Sequence, residues 1–237
     1  MTALRLILRA ALCVAVLIPM TAHAEAPPTD PLDGLRGGAK VRALIDLVVE
    51  RQRALTSMRS EFVQHKRSAL LLEPAESRGE FLFLAPGQVR WNYTEPDGMV
   101  VVYANEVLTT YRPDEKSAQA VRVPAKHQRF VRVLAGTQPL DDLESQFAIT
   151  MTDPGAPSPY HLKLTPTHRT LKARLEVVRL EVDRELLLPI AVEYVEADGD
   201  VTRYEFRDLE INVALDEASF ALELGDDVRV ETIDAVG

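Results

Sequence analysis

The sequence predicts a mainly β protein, an unclosed antiparallel β half-barrel of about ten strands with a helical lid, carried behind an export signal. Three observations lead to this fold class. The first 24 residues have the layout of a signal peptide, apolar residues recur with a period of two on many short segments after residue 60, and only two or three segments have helical spacing. Strands that follow one another without intervening helices form antiparallel hairpins. Because a sheet this large has few helices to cover it, we expect it to curl and bury one concave face against them.

Residues 1–24 are expected to be a cleavable signal peptide. Arg5 and Arg9 give a basic start, and the unbroken apolar run Ala10–Ile18 follows them. This run is too short for a membrane-spanning helix, which needs about 20 residues. The small-x-small pattern Ala22–Ala24 then predicts cleavage before Glu25, and both features disfavour the alternative of an uncleaved anchor. We therefore expect the mature protein to be exported across the cytoplasmic membrane.

The single cysteine, Cys13, lies inside the apolar run of the signal peptide. A lipoprotein signal ends at its cysteine, whereas apolar residues continue beyond Cys13, so lipidation is not expected. Cleavage before Glu25 leaves a mature chain without cysteine. Disulfides, thiolate metal sites and cysteine nucleophiles are thereby excluded.

The charge balance of the chain is acidic. The full chain has 27 basic and 36 acidic residues and a formal net charge of −9. Removal of Arg5 and Arg9 with the signal peptide leaves 25 basic residues and a net charge of −11. Such a surface repels phosphate backbones, and no basic and aromatic stripe offsets it, so nucleic acid is not expected as a partner.

The mature chain is expected to consist of a flexible linker over residues 25–40 and a single domain over residues 41–237. The linker prediction comes from its proline and glycine content. From Val41 onward, apolar residues recur at i, i+3, i+4, i+7 and i+8, which is the spacing of one helix face. This spacing predicts a helix from about Val41 to about Ser57.

The strands are predicted from apolar and aromatic residues that alternate with polar ones between turn signals. Pro86 with Gly87, Pro96–Gly98, and Asp198 with Gly199 supply the turn chemistry. The predicted strands begin at Phe62, include Phe81–Phe83 and Trp91–Tyr93, and continue over Val100–Tyr103, Val107–Tyr111, Phe147–Met151, Tyr160–Thr165, Leu175–Asp183, Ile190–Glu196 and Val201–Asn212.

A helical segment interrupts the predicted sheet over Ala125–Gly136. Its apolar residues Phe130, Val133 and Leu134 share one helix face, and a glycine stands where the helix would end. A further helical turn is expected over Leu140–Ser145. Together with the first helix, these segments form the predicted lid.

No motif in the sequence indicates an enzyme. The four histidines of the mature chain have no HExxH spacing, no serine lies in a GxSxG elbow, and there is no glycine-rich phosphate loop. Acidic pairs are frequent in so acidic a chain and indicate solvated surface. We therefore expect no catalytic residue, no metal site and no cofactor.

Apolar character is nearly continuous over Glu80–Leu84 and Leu186–Ile190. A sheet that is covered on both faces explains this pattern, and so does a sheet that lines a ligand cavity. Periodicity alone favours the covered sheet and leaves both alternatives open.

An ordered set of residues gives a resemblance to a known family. The matching positions are Phe62 and Gln64, Gly79 and Phe81, Pro86, Arg90, Trp91, Tyr93 and Pro96, then Val101–Tyr111 with Pro113, Leu164–Pro166, and Phe220 with the tail Leu222–Val230. In this order and spacing, over residues 41–231, the chain resembles the LolA family, the periplasmic carriers of outer-membrane lipoproteins.

The resemblance implies that the half-barrel and its lid enclose an apolar cavity for acyl chains. It implies a monomer that carries an acylated lipoprotein or lipid from an inner-membrane transporter or exporter to an outer-membrane acceptor, without catalysis or a cofactor. Such a cavity suits the cargo, because each CH₂ that leaves water contributes about 0.8 kcal/mol. Release then requires an acceptor with higher affinity.

The resemblance also selects candidate site residues on the matching strands. Which of them face the cavity depends on register, because a slip of one residue exchanges the two faces, and ordinary core packing is an equal alternative for each. The candidate cavity residues are Phe62, Phe81, Phe83, Trp91, Tyr93, Val101, Tyr103 and Tyr111, and the candidate lid residues are Phe130, Val133 and Leu134.

One position departs from the family pattern. Members that serve the lipoprotein pathway commonly carry a basic residue before the proline of the first hairpin, whereas this chain has Ala85 before Pro86. Arg90, the nearest arginine, is the candidate for a polar contact to lid or cargo in its place. A LolA-like carrier or sensor for a non-lipoprotein lipid, linked to a lipid exporter or a pigment-lipid pathway, is therefore the alternative. A sensor with a second domain and a lipidated outer-membrane acceptor are less favoured.

Overall fold

A computed structural model of the protein describes residues 30–123 and 140–234. Twelve strands and one long helix dominate these residues. The strands are β1 Ser57–Arg67, β2 Ala75–Leu84, β3 Gln88–Glu95, β4 Val100–Ala104, β5 Val107–Arg112, β6 Ser117–Arg122, β7 Phe147–Thr152, β8 Tyr160–Pro166, β9 Leu175–Val182, β10 Pro189–Glu196, β11 Val201–Ile211 and β12 Arg229–Asp234. The helices are α1 Gly37–Arg53, α2 Leu140–Leu143 and α3 Arg169–Lys172, and a 3₁₀ turn covers Glu217–Phe220.

All twelve strands form one sheet in the order β12-β6-β5-β4-β3-β2-β1-β11-β10-β9-β8-β7. Every neighbouring pair is antiparallel except β12 and β6, which are parallel. The two edge strands β12 and β7 do not pair with each other, so the sheet is unclosed. The predicted fold class is confirmed, with twelve strands instead of about ten.

The two faces of the sheet bury different clusters. On one face, here called the inner face, aromatic and aliphatic side chains pack against α1 in the main core. The buried residues of α1 are Leu44, Ile45, Val48 and Val49. On the opposite face, here called the outer face, Leu82 and Val102 pack with Phe220 of the 3₁₀ turn in a smaller cluster. The C-terminal segment therefore covers part of the outer face.

The N-terminal segment is packed from residue 30 onward, which corrects the prediction of a flexible linker up to residue 40. Leu32 is fully buried in the main core, and α1 begins at Gly37 instead of Val41. Gly34 and Gly37 have φ angles of +81° and +56°, a region that glycine adopts without steric cost. Glycine in this segment thus forms ordered turns.

The predicted helical turn after residue 140 is confirmed as α2. The predicted lid helix Ala125–Gly136, with Phe130, Val133 and Leu134, and the predicted signal peptide lie outside the described residues. Within the described ranges, no helix has the length and apolar character needed to cross a membrane.

A group of charged residues, here called the ionic cluster, fastens the N-terminal segment to the sheet. Its members are Asp30, Lys40, Asp153, Tyr160 and Arg184. The guanidinium of Arg184 donates to Asp30 Oδ2 at 2.5 Å and also to Asp153, and it lies 4.1 Å from the centre of the Tyr160 ring. Lys40 Nζ donates to Asp153 Oδ2 at 2.5 Å, and the Tyr160 hydroxyl donates to Asp30. The cluster thereby joins α1, the β7–β8 loop and the β9–β10 turn.

The ionic cluster lowers the pKa of both its carboxyl groups. Burial acts to raise the pKa of Asp153, but hydrogen bonds from Lys40, the Gly155 amide and Arg184 outweigh it, and its pKa falls from 3.8 to about 2. Burial likewise opposes the lowered pKa of Asp30, which results from bonds to Tyr160 and to a backbone amide and from the nearby cations. Both carboxylates are therefore ionised at neutral pH.

Candidate functional site

The strand register places seven of the eight candidate cavity residues on the inner face. In antiparallel sheets, directly paired residues project to the same side. Phe81 pairs with Trp91, which pairs with Val101, and Tyr103 pairs with Val89 of the main core. The seven are Phe62, Phe81, Phe83, Trp91, Tyr93, Val101 and Tyr103.

The inner face carries a continuous row of aromatic rings. The Phe81 ring centre lies 5.3 Å from that of Trp91 and 5.2 Å from that of Phe206. The Phe62 and Tyr93 ring centres are 5.0 Å apart in an edge-to-face arrangement. Rings at these distances favour tilted and edge-to-face contacts, which give an apolar surface with fixed shape.

Tyr111 lies on the outer face, so its selection as a cavity residue was wrong. It pairs with Val100, which packs against the outer cluster. Its neighbour Thr110 pairs with Val101 and therefore projects to the inner side. The prediction is out of register by one residue on β5, and such a shift exchanges the two faces of a strand.

Arg90 also lies on the outer face, on the side of the sheet opposite the seven candidate cavity residues. Its guanidinium donates to the carbonyl oxygens of Ser219 at 3.1 Å and Ala221 at 2.9 Å. Its Nε donates to Asn92 Oδ1 at 2.6 Å. Arg90 therefore anchors the C-terminal segment to the sheet, on the side away from the inner face.

Two polar atoms are buried on the inner face without a hydrogen-bond partner among the described residues. They are Ser60 Oγ and Trp91 Nε1. Both residues pair directly with Phe81, one on each side, so the two residues are neighbours of Phe81 across the sheet. A buried donor without an acceptor lowers the stability of the folded chain by about 1–3 kcal/mol. The surroundings of Phe81 are therefore the part of the described core where hydrogen bonding is incomplete.

A group of tyrosines, here called the tyrosine cluster, lies where the inner face meets the β1–β2 hairpin end of the sheet. The Tyr93 and Tyr204 hydroxyls are 3.3 Å apart, and Tyr194, which pairs with Thr202 in the sheet, packs against the same core. Burial raises the pKa of all three phenols, so they remain neutral donors and acceptors at any physiological pH. Tyr93 also lines a cleft of about 260 Å³ between the β3–β4 and β5–β6 turns.

The strands β10 and β11 contribute site residues that were not predicted. Tyr194, Tyr204 and Phe206 all take part in the inner face. Their alternation with polar residues predicted both strands. The candidate site residues were instead predicted from the family resemblance, whose matching positions lie mainly in the first half of the domain. The pairing of β1 with β11 sets Phe62 opposite Phe206 and so brings residues of the two halves together on the inner face.

The arrangement suits the binding of an apolar group and offers little for bond-breaking chemistry. The candidate residues are aromatic or aliphatic, and the phenols have raised pKa values. Within the described ranges, no three histidine, cysteine or acidic side chains come together as metal ligands would. The candidate lid residues lie outside those ranges, so the described part of the site is the sheet and α1.

Comparison with known proteins gives a family and a fold. The sequence profile described as "Outer membrane lipoprotein carrier protein LolA" matches residues 53–223. The chain is 29% identical over 163 residues to an outer-membrane lipoprotein carrier protein of Halorhodospira halophila, covering 67% of this chain and 71% of that protein. It is 25% identical over 166 residues to one of Methylococcus capsulatus, covering 69% of this chain and 76% of that protein.

Two solved structures share the fold at low identity. An uncharacterized conserved protein from Thermus thermophilus superposes with a TM-score of 0.51 at 13% identity, covering 81% of this chain and 99% of that chain. MucB superposes with a TM-score of 0.50 at 17% identity, covering 82% of this chain but only 66% of MucB. At such identities the likeness concerns the fold alone.

Proposed function

We propose that this chain, which belongs to the LolA family of outer membrane lipoprotein carrier proteins, holds acyl chains of a lipoprotein or lipid against its inner face and carries them through the periplasm to the outer membrane. The continuous aromatic inner face is the observation that carries the proposal. The relatives from Halorhodospira halophila and Methylococcus capsulatus are both described as outer-membrane lipoprotein carrier proteins, which supports the proposal. The carrier acts by binding and release, and no bond of the cargo is broken.

Acyl binding requires the inner face to open. Five candidate side chains are more than nine-tenths buried: Phe62, Phe81, Phe83, Trp91 and Tyr103. An acyl chain therefore has to replace contacts that α1 or another covering segment makes with the sheet. The exchange is feasible because one apolar surface replaces another, and each CH₂ removed from water contributes about 0.8 kcal/mol. A better outer-membrane site then draws the cargo away.

The two unpartnered atoms give the inner face a means of orienting its cargo. The Ser60 hydroxyl and the Trp91 indole N–H both donate hydrogen bonds. The ester or amide carbonyl that joins an acyl chain to its headgroup is an acceptor of the right kind. Its binding recovers the cost of leaving these donors unsatisfied.

A non-lipoprotein lipid is the second candidate cargo, favoured by one observation. The position before Pro86 is Ala85, and the nearest arginine, Arg90, is engaged by the C-terminal segment on the outer face. Alanine thus stands where lipoprotein-pathway members commonly carry a basic residue, and Arg90 lies on the other side of the sheet from the inner face. Competition between a diacylated lipopeptide and a diacylglycerol of the same chain length distinguishes the two cargoes.

Adjacent threonines on β5 provide a matched test of acyl binding. Thr110 projects to the inner side and Thr109 to the outer side, and both are half-buried. Thr110→Asp is expected to weaken binding of a neutral fluorescent acyl probe by roughly tenfold or more, because an ion without a partner is costly to bury. Thr109→Asp is expected to change the affinity less than about twofold. A wild-type protein that binds no acyl probe at micromolar concentrations, or equal effects of the two variants, would contradict the proposal.

Two buried serines on β1 should respond oppositely to removal of their hydroxyls. Ser60→Ala deletes an unpartnered donor and is expected to raise the free energy of unfolding by about 1 kcal/mol. Ser57→Ala deletes a donor that bonds the Val213 carbonyl at 2.5 Å and is expected to lower it by about 1 kcal/mol. Urea unfolding, followed by the fluorescence of Trp91, the only tryptophan, measures both.

The same serine variants separate orientation of the cargo from folding. Ser60→Ala is expected to weaken binding of an acyl ester severalfold while leaving a plain alkane probe unaffected. Ser57→Ala is expected to bind both ligands as the wild type does. Equal ester affinity in Ser60→Ala and the wild type would remove Ser60 from the proposed site.

A further inference from the structure

The loop that joins β1 to β2 presents three consecutive leucines to solvent. Leu70 is 94% exposed, Leu72 is fully exposed and Leu71 is 40% exposed. The remaining exposed large apolar side chains of the described residues are Leu35 at 39%, Val230 at 52% and Ile233 at 37%. Leu70 and Leu72 are almost completely surrounded by solvent, with Leu71 between them. Both leave apolar surface in contact with water, which is energetically unfavourable.

The loop is an ordered turn and not a loose connection. The Leu71 amide donates to the Ser68 carbonyl at 3.1 Å, and the Leu70 amide donates to Ser68 Oγ at 3.2 Å. The flanking strands remain paired up to Lys66, which lies opposite Ala75. The leucines are therefore held at the tip of a hairpin.

Basic residues stand next to the leucine tip. Lys66 and Arg67 are exposed, and neither forms an ion pair with any residue of the described ranges. Farther along the hairpin, Arg78 pairs with Glu76, and Glu73 is the remaining acidic residue. The hairpin end has a net charge of +1 in a chain whose net charge is −9.

We propose that this leucine tip, residues Leu70–Leu72, inserts into the surface of an anionic lipid bilayer while Lys66 and Arg67 contact the lipid phosphates. In an anionic bilayer, acyl chains lie beneath negatively charged headgroups. The leucines at the tip can therefore contact the acyl chains while the two basic residues beside them contact the headgroups. A pocket in a partner protein is less well matched, because it has to accept two free cations beside the leucines. One short insertion with two cations gives weak, reversible binding, as a carrier that leaves the membrane again requires.

The tip lies at the end of the sheet where cargo would enter. β3 runs parallel to β1, so its C-terminal turn, with the cleft beside Tyr93, is at the same end as the leucine tip. The ionic cluster, with Arg184 after the C-terminal end of β9, is at the opposite end. Insertion would turn the tyrosine cluster toward the bilayer. The inference goes beyond the proposed function, since the tip can bind lipid whatever the inner face holds.

Vesicle cosedimentation of the mature chain tests the inference. Phosphatidylcholine vesicles with and without phosphatidylglycerol are the probes, and Val230→Ser, an exposed apolar residue elsewhere, is the control. The wild type is expected to bind the anionic vesicles, and Leu70→Ser/Leu72→Ser is expected to bind them roughly tenfold less. Lys66→Gln/Arg67→Gln is expected to bind severalfold less and with a weaker dependence on salt. Val230→Ser should behave as the wild type.

Several results would overturn the inference. These are a wild type that binds no vesicles, a leucine variant that binds as Val230→Ser does, and loss of binding in the charge variant alone, which indicates surface adsorption. Binding to native membranes that protease treatment abolishes, without binding to pure lipid, indicates a protein partner instead. Acyl-probe binding by Leu70→Ser/Leu72→Ser should equal the wild type, so failure of the tip and failure of the carrier proposal give different results.

Discussion

Gly79→Ala is expected to lower the free energy of unfolding by about 3 kcal/mol or more, because overpacking of a core costs about 1–3 kcal/mol and more where backbone has to move. A Cβ atom at this position would lie 1.9 Å from the carbonyl oxygen of Asn92 and 3.0 Å from a ring carbon of Phe62. The first contact is with the backbone of β3, so it cannot be relieved by a rotamer change. The register between β2 and β3 already shifts between Arg78 and Gly79.

Gly98→Ala is the control for this variant, because nothing lies within 4 Å of a Cβ at that position. Neither glycine has a positive φ, so the two substitutions differ in the space around the Cβ. Urea unfolding should show a lower midpoint for Gly79→Ala and an unchanged midpoint for Gly98→Ala. A loss below about 1 kcal/mol in Gly79→Ala would mean that β2 and β3 separate easily at this point.

The period-two pattern predicted the sheet well, because alternation is a local property of the sequence. The strand predicted over Val201–Asn212 is β11, Val201–Ile211, and that predicted over Tyr160–Thr165 is β8, Tyr160–Pro166. β6, Ser117–Arg122, was not predicted because its small and polar residues show no apolar alternation. Its place in the sheet depends on pairing with β5 and β12, which the local sequence does not encode.

Which residues of β5 lie on the inner face depends on the turn between β4 and β5, and the sequence did not reveal the geometry of that turn. Asn105 and Glu106 form the two-residue connection between β4 and β5, and both have positive φ angles. Hairpin turns of this kind are signalled by glycine, which is absent here. The turn sets Val101 opposite Thr110, and Tyr111 consequently projects to the outer face. The alternating pattern divides the residues of each strand between two faces. The turn then determines which residues of β5 lie on the same side of the sheet as the inner-face residues of β4.

Contacts between distant parts of the chain account for the other differences. Arg90 is a candidate contact because it is the arginine nearest to Ala85 in the sequence, but its partners Ser219 and Ala221 are 129 and 131 residues away. Asp30 and Arg184 are 154 residues apart in the sequence. The proline and glycine content of residues 25–40 therefore predicted a linker, because it does not reveal that the ionic cluster holds this segment against the sheet. Composition predicts local conformation, whereas these side chains are fixed by tertiary partners.

Arg184→Met is expected to lower the free energy of unfolding at pH 7 by about 3 kcal/mol, because loss of one partner from a buried ion pair costs about 3–5 kcal/mol. The side chain is 13% exposed and separates Asp30 from Asp153, each 19% exposed. Its removal leaves two poorly solvated carboxylates without their shared cation. The packing of the guanidinium on Tyr160 is lost as well. Urea unfolding of both proteins measures the difference.

Arg179→Met is the matched control, because Arg179 pairs with Glu193 at 2.5 Å but is 49% exposed. Surface pairs contribute about 0–1 kcal/mol, so this variant should change stability little. A similar loss in both variants would show that the ionic cluster is no stronger than a surface pair.

The cost of Arg184→Met should also depend on pH, with a sign fixed by the lowered pKa values. The pKa of Asp153 is about 2 in the folded chain and about 3.8 when exposed, so its stabilising effect is complete above about pH 4 and is lost as the pH falls toward 2. Asp30, whose pKa is also lowered, acts in the same direction. The difference between Arg184→Met and the wild type should therefore be constant from about pH 5 to 7 and smaller near pH 3. A difference that stays the same down to about pH 3 would mean that the methionine variant fails through lost packing alone, since only the ionic contribution disappears when the carboxylates take up protons.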